Sequence, residues 1–125
     1  ENTALQADAE QLKQVFLNII LNAVEAMSQN PPERSRTLII SIEKGASIDD
    51  HSHYLLLSFE DSGKGIGEKD LDHIFNPFFT TKDEGTGLGL AICYGIINRH
   101  EGEIEVHSTP GKGTCFTIKL PQYIV

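Results

Sequence analysis

Four polar side chains near the start of the chain recur at helical spacing. Gln14, Asn18, Asn22 and Glu25 are spaced i, i+4, i+8 and i+11, which places them along one face of a helix. The asparagine side chain offers a hard, uncharged oxygen, and such an oxygen suits a Mg²⁺ ion that phosphates already neutralise. The alternative is an amphipathic helix whose hydrated face carries amides, and the spacing alone favours this simpler interpretation.

A carboxylate stands at the end of an alternating apolar run. Asp61 is in phase with the apolar residues of the run 55–59, so a continuing strand points its side chain toward the core, where it needs a hydrogen-bond donor. An inward carboxylate can accept a hydrogen bond from an exocyclic amine such as that of adenine. The alternative is that Asp61 caps the turn that begins at Ser62. Three glycines follow that would let the backbone approach a flat ligand, Gly63, Gly65 and Gly67.

Thr114 lies on the same strand face as the apolar residues of the run 116–120. Its hydroxyl could therefore share a pocket with Asp61. The alternative is an ordinary strand threonine, which the spacing does not exclude.

A second glycine-rich segment opens a later helix. Thr86 is a candidate N-cap, and glycine in the first turn costs about 1 kcal/mol per residue relative to alanine. Close approach of a phosphate to the unpaired N–H groups at the helix N-terminus would explain that cost. Lys82 precedes this helix, either as a phosphate contact or as a solvated loop residue. The segment comprises Gly85, Thr86, Gly87, Leu88 and Gly89.

The elements that must position these side chains follow from periodicity and breakers. Asp8 is a candidate N-cap for a helix over 9–28, and a second helix covers 88–100. Strands are predicted over 38–44 and 54–61 as one hairpin, and over 101–108 and 114–120 as another that ends at Pro121. The fold class is therefore α+β, a two-layer sandwich with a mixed, mainly antiparallel sheet covered by helices on one face. We expect one domain, 1–125.

The stretch 62–86 is irregular apart from a possible short helix over 68–75. Such long loops are usually lids or binding loops. Phe75, Phe78 and Phe79 lie in it, and they are either core residues or anchors of a lid over about 68–84.

Composition excludes several classes of partner. Acidic residues number 18 against 10 basic ones, for a formal charge of -8. This argues against nucleic acid or an anionic membrane surface as a partner of the domain. No apolar run reaches the roughly 18 residues of a membrane span, and the start lacks a signal peptide. Cys93 and Cys115 are interpreted as core thiols in a reducing compartment, so we expect a cytoplasmic domain.

In their order along the chain, these motifs resemble the ATP-binding catalytic domain of bacterial sensor histidine kinases, which share the Bergerat fold with Hsp90, type II topoisomerases and MutL. The resemblance covers essentially all 125 residues. It implies ATP and Mg²⁺ as ligands, with Asn22 on the metal, Asn18 and Lys82 near the phosphates, Asp61 on adenine and Thr114 beside it. The matching segments are NIILNA (18–23), DSGKGIG (61–67), FNPFF (75–79), GTGLGL (85–90) and GKGT (111–114), and FFTTK resembles the nitrogen-regulation type.

The resemblance also implies a reaction. Relatives that hydrolyse ATP carry a glutamate as general base one helical turn before the motif asparagine, whereas this chain has Asn18, which cannot take a proton. Asn18 therefore fits transfer of the γ-phosphate to a histidine.

The family's acceptor histidine lies on a separate dimerisation domain, and the histidines at 51, 53, 73, 100 and 107 lack its context. We therefore expect this domain to be part of a longer kinase, and whether that kinase is anchored in a membrane stays open. We expect that the domain does not phosphorylate itself and that it acts on a response regulator indirectly. The alternatives are a regulatory nucleotide-binding module without phosphotransfer, an ATP-hydrolysing clamp, and a structural interaction domain.

Overall fold

The computed structural model describes residues 7–46, 53–79 and 89–122. The two long helices and the four strands predicted from the sequence are present, with bounds that differ by at most two residues. The short helix expected over 68–75 is a single turn, followed by further turns. The elements are α1 (Ala9–Met27), β1 (Leu38–Ala46), β2 (His53–Asp61), α2 (Glu68–Leu71), α3 (Gly89–Arg99), β3 (Glu103–Thr109) and β4 (Gly113–Gln122).

Helix α1 begins where the sequence predicts. The Asp8 side chain accepts a hydrogen bond from the backbone N–H of Gln11 at 3.1 Å, which satisfies one of the free N–H groups at the helix start. Neither glycine nor proline interrupts the helix, and Pro31 and Pro32 follow soon after its end. Its buried face repeats at helical spacing through Leu12, Val15, Ile19, Ala23 and Met27.

The sheet has the strand order β1-β2-β4-β3, and in the described ranges all three pairings are antiparallel. Both predicted hairpins are confirmed. Helices α1 and α3 cover one face, and alternate residues of β2 and β4 point into the core against them. The α+β two-layer sandwich is therefore confirmed. The strand residues of this core are Leu55, Leu57, Phe59, Phe116, Ile118 and Leu120.

The sequence predicted that the last strand ends at Pro121, and this prediction is wrong. Strand β4 continues through Pro121, which lies opposite Tyr54 of β2, and ends at Gln122. Strand β3 last pairs with β4 at Lys119, so one side of Pro121 has no strand partner among the described residues. A proline is tolerated there because that side of the strand makes no ladder bond.

The two cysteines differ. Cys93 is completely buried between α1 and the sheet, and burial raises the pKa of its thiol to about 11. It is the core thiol that the sequence predicted. Cys115 is half-buried, because its neighbours Thr114 and Phe116 take the inward positions of β4 and alternation turns Cys115 to the other face.

The three phenylalanines also separate. Phe75 packs against Tyr94 of α3 and Phe116 of β4, with ring centroids 5.6 and 6.4 Å apart, and Phe79 packs partly against the core. Phe78 is 74% exposed and has a positive φ of 67°. Core packing therefore describes Phe75 and, in part, Phe79, but not Phe78.

Candidate functional site

The Asp61 carboxyl is buried at the inward end of β2. Only 6% of the residue is exposed, and its side chain continues the inward row of Leu55, Leu57 and Phe59. The backbone N–H of Gly63 donates to Oδ1 at 2.8 Å, and the N–H of Thr114 also donates to the carboxyl. Both interpretations of the sequence hold, because Asp61 points inward and also caps the turn at Ser62.

Burial raises the pKa of Asp61 above its ordinary value of 3.8. The two backbone donors and the charge of Arg34 pull the pKa down, while Glu60 pushes it slightly up. The net rise in pKa means that the ionised carboxylate loses more stabilisation by water on burial than the neighbouring donors and charges restore. A further donor, such as a ligand amine, would stabilise the ionised form.

Strands β3 and β4 place two hydroxyl groups in one row with Asp61 of β2. Thr114 is the register partner of Asp61 on one side and of Ser108 on the other. Thr114 is buried, and its Oγ1 lies 2.8 Å from the Oγ of Ser108, which also accepts a hydrogen bond from the Ile66 N–H at 2.7 Å. Ser108 was not among the residues predicted for the site, although its position opposite Thr114 in the predicted hairpin could have identified it.

Two glycines of the DSGKGIG segment lie in close contact with residues elsewhere in the chain. A Cβ on Gly63 would lie 2.7 Å from the Cβ of Ala26 in α1, and a Cβ on Gly65 would meet the Thr109 carbonyl oxygen. Gly65 has a positive φ of 76°. A Cβ on Gly67 or Gly89 would meet open space within the described part of the chain. A role of these glycines toward a ligand stays a prediction.

The polar face of α1 meets the start of α3. The Asn18 side-chain amide donates to the Gly89 carbonyl at 3.4 Å, and it also hydrogen-bonds with the Cys93 thiol. Asn22 is half-buried one turn further along the same helix. The predicted asparagine face of α1 therefore lies beside Gly89, the first residue of α3. The remaining residues predicted for this end lie outside the described ranges, namely Lys82, Gly85, Thr86, Gly87 and Leu88.

Two residues in the connection between α1 and β1 hydrogen-bond to the backbone that follows Asp61. The composition of this loop did not indicate these contacts. Asn30 is buried, and its amide donates to the carbonyl oxygens of Ser62 at 2.9 Å and Ser35 at 3.1 Å. The guanidinium of Arg34 donates to the Gly63 carbonyl at 2.5 Å. No sequence motif marks these two residues, because their partners are backbone carbonyl oxygens, and those of Ser62 and Gly63 lie far away in the chain.

Among the described residues, the candidate metal donors are side-chain oxygens. Within the described ranges, no group of three or more His, Cys, Asp and Glu side chains could hold a metal ion. The uncharged side-chain oxygen of Asn22 is of a type that Mg²⁺ accepts. This donor set fits Mg²⁺ that binds one or two protein oxygens and takes its other ligands from phosphates and water.

No described helix has both the length and the apolar character that a bilayer crossing requires.

Comparison with known proteins identifies the family. Residues 7–124 match the family described as histidine kinase-, DNA gyrase B-, and HSP90-like ATPase. The chain is 46% identical over 120 residues to the sensor histidine kinase ZraS of Escherichia coli K12, and 46% identical over 118 residues to sporulation kinase A of Bacillus subtilis. Each alignment covers 94% of this chain but 23% and 18% of the relative, so the chain spans about a quarter or less of their length.

Solved structures give the same result. The catalytic domain of the histidine kinase ThkA matches with a TM-score of 0.76 and 35% identity, over 94% of this chain and 70% of that one. The mycobacterial sensor histidine kinase MprB matches with a TM-score of 0.74 and 25% identity, over 97% of this chain and 76% of that one. The chain therefore belongs to the family of histidine kinase-, DNA gyrase B- and HSP90-like ATPases, and within it corresponds to the catalytic ATPase domain of sensor histidine kinases.

Proposed function

We propose that this domain binds Mg-ATP and donates the γ-phosphate to a histidine on a separate dimerisation domain of a two-component sensor kinase. The observation that carries the proposal is the buried Asp61 carboxyl, held by two backbone N–H groups at the inward end of β2. Membership of a nucleotide-using family supports it.

Asp61 would select the base. An ionised carboxylate has about four lone-pair sites, and the N–H groups of Gly63 and Thr114 engage two of them. The remaining capacity fits the exocyclic amine of adenine. The hydroxyls of Thr114 and Ser108 lie in the same row and would support the base through water.

The phosphates would extend toward the start of α3. Asn18 contacts the Gly89 carbonyl, so the asparagine face of α1 lies beside this helix end. We assign Asn22 as a ligand of Mg²⁺. We assign Asn18, Lys82 and backbone N–H groups of 85–89 as contacts of the phosphates. When bound, Mg²⁺ would offset the charge of the phosphates.

The transfer step needs no base on this domain. The unprotonated imidazole nitrogen of the acceptor histidine attacks the γ-phosphorus in line with its lone pair. The bond from the γ-phosphorus to the bridging oxygen breaks, ADP leaves with that electron pair, and the other imidazole nitrogen releases its proton to water. Asn18 stands where hydrolysing relatives carry a glutamate base, and it cannot accept a proton.

The partner is therefore the histidine-bearing dimerisation domain of the parent kinase, with a response regulator as the indirect recipient. The net charge of -8 disfavours nucleic acid and anionic membrane surfaces as partners of this domain. We propose a cytoplasmic location for the domain, whether or not the parent kinase is anchored in a membrane.

Binding is tested by thermal unfolding with and without Mg-ATP. A ligand at 100 times its Kd stabilises the native state by about 2.7 kcal/mol, which should raise the Tm by roughly 5–10 °C. Asp61→Asn and Asn22→Ala should abolish this shift. Glu60→Gln is the matched control, because it removes the adjacent, exposed carboxylate of the same strand and should keep the shift. Equal Tm values with and without Mg-ATP in the unaltered domain would refute nucleotide binding.

Transfer is tested by mixing the domain and Mg-ATP with the purified dimerisation domain of the parent kinase. We expect phosphohistidine on the dimerisation domain and none on the catalytic domain alone. Phosphohistidine should be absent with Asp61→Asn. Binding of Mg-ATP without phosphohistidine would instead identify a regulatory nucleotide-binding module.

A further inference from the structure

Arg34 lies in the connection between α1 and β1 and reaches the segment that follows Asp61. It is half-buried, and its Nη2 donates to the Gly63 carbonyl at 2.5 Å. The N–H of the same glycine donates to Asp61 Oδ1 at 2.8 Å. Gly63 therefore stands between the guanidinium and the carboxyl and hydrogen-bonds to both.

Arg34 also acts on Asp61 through its charge, which lowers the pKa of the carboxyl against the effect of burial. Among the residues that the structure describes, Glu60 of β2 also acts on Asp61 through its charge, and it opposes Arg34. The register partners of Asp61 in β1 and β4, Leu38 and Thr114, carry no charge. Neither do Ala26 and Met27 of α1, which contact the adjacent Gly63 and Ser62.

We propose that Arg34 is a positioning residue that keeps the Asp61 carboxyl ionised and oriented to accept the exocyclic amine of the base. The inference rests on the proposed function, because it assumes that Asp61 binds adenine. A protonated carboxyl would present an O–H donor toward an amine, which is also a donor, and binding would weaken. Arg34 would therefore set the lower limit of the pH range in which the domain binds ATP.

Arg36 provides a matched control in the same connection. Its guanidinium donates to the carbonyl oxygens of Ser28 at 3.2 Å and Asn30 at 3.5 Å, so it also anchors the loop through backbone oxygens. It is exposed, and it is not among the groups that shift the pKa of Asp61. Arg34→Gln and Arg36→Gln change the net charge equally, so only a local effect can distinguish them.

The test is calorimetric titration with Mg-ATP from pH 5 to pH 8 for the unaltered domain and both variants. Arg34→Gln should lose affinity at a higher pH than the unaltered domain, with binding at the acidic end weaker by about threefold or more, as expected for a partly exposed charge pair. Arg36→Gln should keep the original pH midpoint. An identical midpoint in Arg34→Gln and the unaltered domain would overturn the inference.

Arg34→Lys separates charge from folding. It keeps the positive charge but lacks the planar guanidinium, so the pH midpoint should stay while affinity falls at every pH. If Arg34→Gln does not fold, a midpoint that moves upward in Arg34→Lys refutes the inference and an unchanged midpoint supports it. Failure of the unaltered domain to bind Mg-ATP at any pH would refute the proposed function instead.

Discussion

Asp61 carries an electrostatic penalty that the fold only partly offsets. Burial removes the carboxylate from water, and two backbone N–H groups with one nearby guanidinium do not restore its ordinary pKa. Groups with such shifts concentrate at functional sites, where a ligand completes the missing interactions. The shift and the inward position together make Asp61 the residue on which nucleotide recognition would depend.

The raised pKa has a definite sign in stability. The native state holds the Asp61 proton more tightly than the unfolded chain does, so this group adds stability as pH falls from its raised native pKa toward 3.8, and removes it as pH rises. In nucleotide-free protein, the Tm of Asp61→Asn minus the Tm of the unaltered domain should therefore be higher at pH 7 than at pH 4. Thermal unfolding at both pH values measures this difference. A variant that loses more stability at pH 7 than at pH 4 would contradict the assignment.

At the scale of elements, the segment after β2 is held by three neighbours. Lys64 donates its N–H to the Ala26 carbonyl of α1 at 3.1 Å and accepts from the Gly111 N–H of the β3–β4 turn at 2.7 Å. Ser62 exchanges backbone and side-chain hydrogen bonds with Thr37, the residue before β1. The backbone beside Asp61 is therefore fixed before any ligand arrives, which reduces the ordering that binding requires.

This packing gives two glycines of one motif different tolerances. Gly63→Ala would place a methyl group 2.7–2.8 Å from the Cβ and backbone of Ala26, and overpacking of this kind costs roughly 1–3 kcal/mol. Gly67→Ala is the control, since its Cβ meets open space at a φ of -66°. We expect a Tm several degrees lower for Gly63→Ala and little change for Gly67→Ala, by thermal unfolding without nucleotide. Equal losses would show that the Ala26 contact is not decisive.

At the scale of the molecule, α1 and α3 lie side by side and hydrogen bonds join them. The Asn18 amide bonds to the first residue of α3, and His100 after α3 accepts from the Asp8 N–H before α1 at 3.0 Å. The other ring nitrogen of His100 lies 2.8 Å from the Ile96 carbonyl, so its Nδ1 carries the proton. The two helices thereby hold the asparagine face in a fixed position against the start of α3.

That arrangement predicts slow hydrolysis. In the proposed site, Asn18 would occupy the position from which a carboxylate activates water, and its side-chain amide, which donates to the Gly89 carbonyl, cannot take a proton. The isolated domain with Mg-ATP should release phosphate far below the roughly 1–1,000 s⁻¹ of typical enzymes. A phosphate-release assay measures this, with the protein-free solution as the blank. Turnover within that range would support an ATP-hydrolysing clamp.

The sequence determined most elements because their signals are local. The polar N-cap at Asp8, the unbroken helical stretch after it and the strict alternation ending at Asp61 each depend on neighbouring residues. The inward position of Asp61 followed from that alternation, and the row with Thr114 followed from two strands of the same phase.

The tertiary structure decided which surfaces the glycines and the loop residues meet. Gly63 and Gly65 lie against Ala26 and Thr109, contacts that join residues far apart in the chain. Asn30 and Arg34 bind backbone carbonyls of the Asp61 segment, and a backbone partner leaves no trace in residue type. Pro121 stays within β4 because β3 has already ended beside it. Such contacts depend on how the layers pack, which the local periodicity of a sequence does not specify.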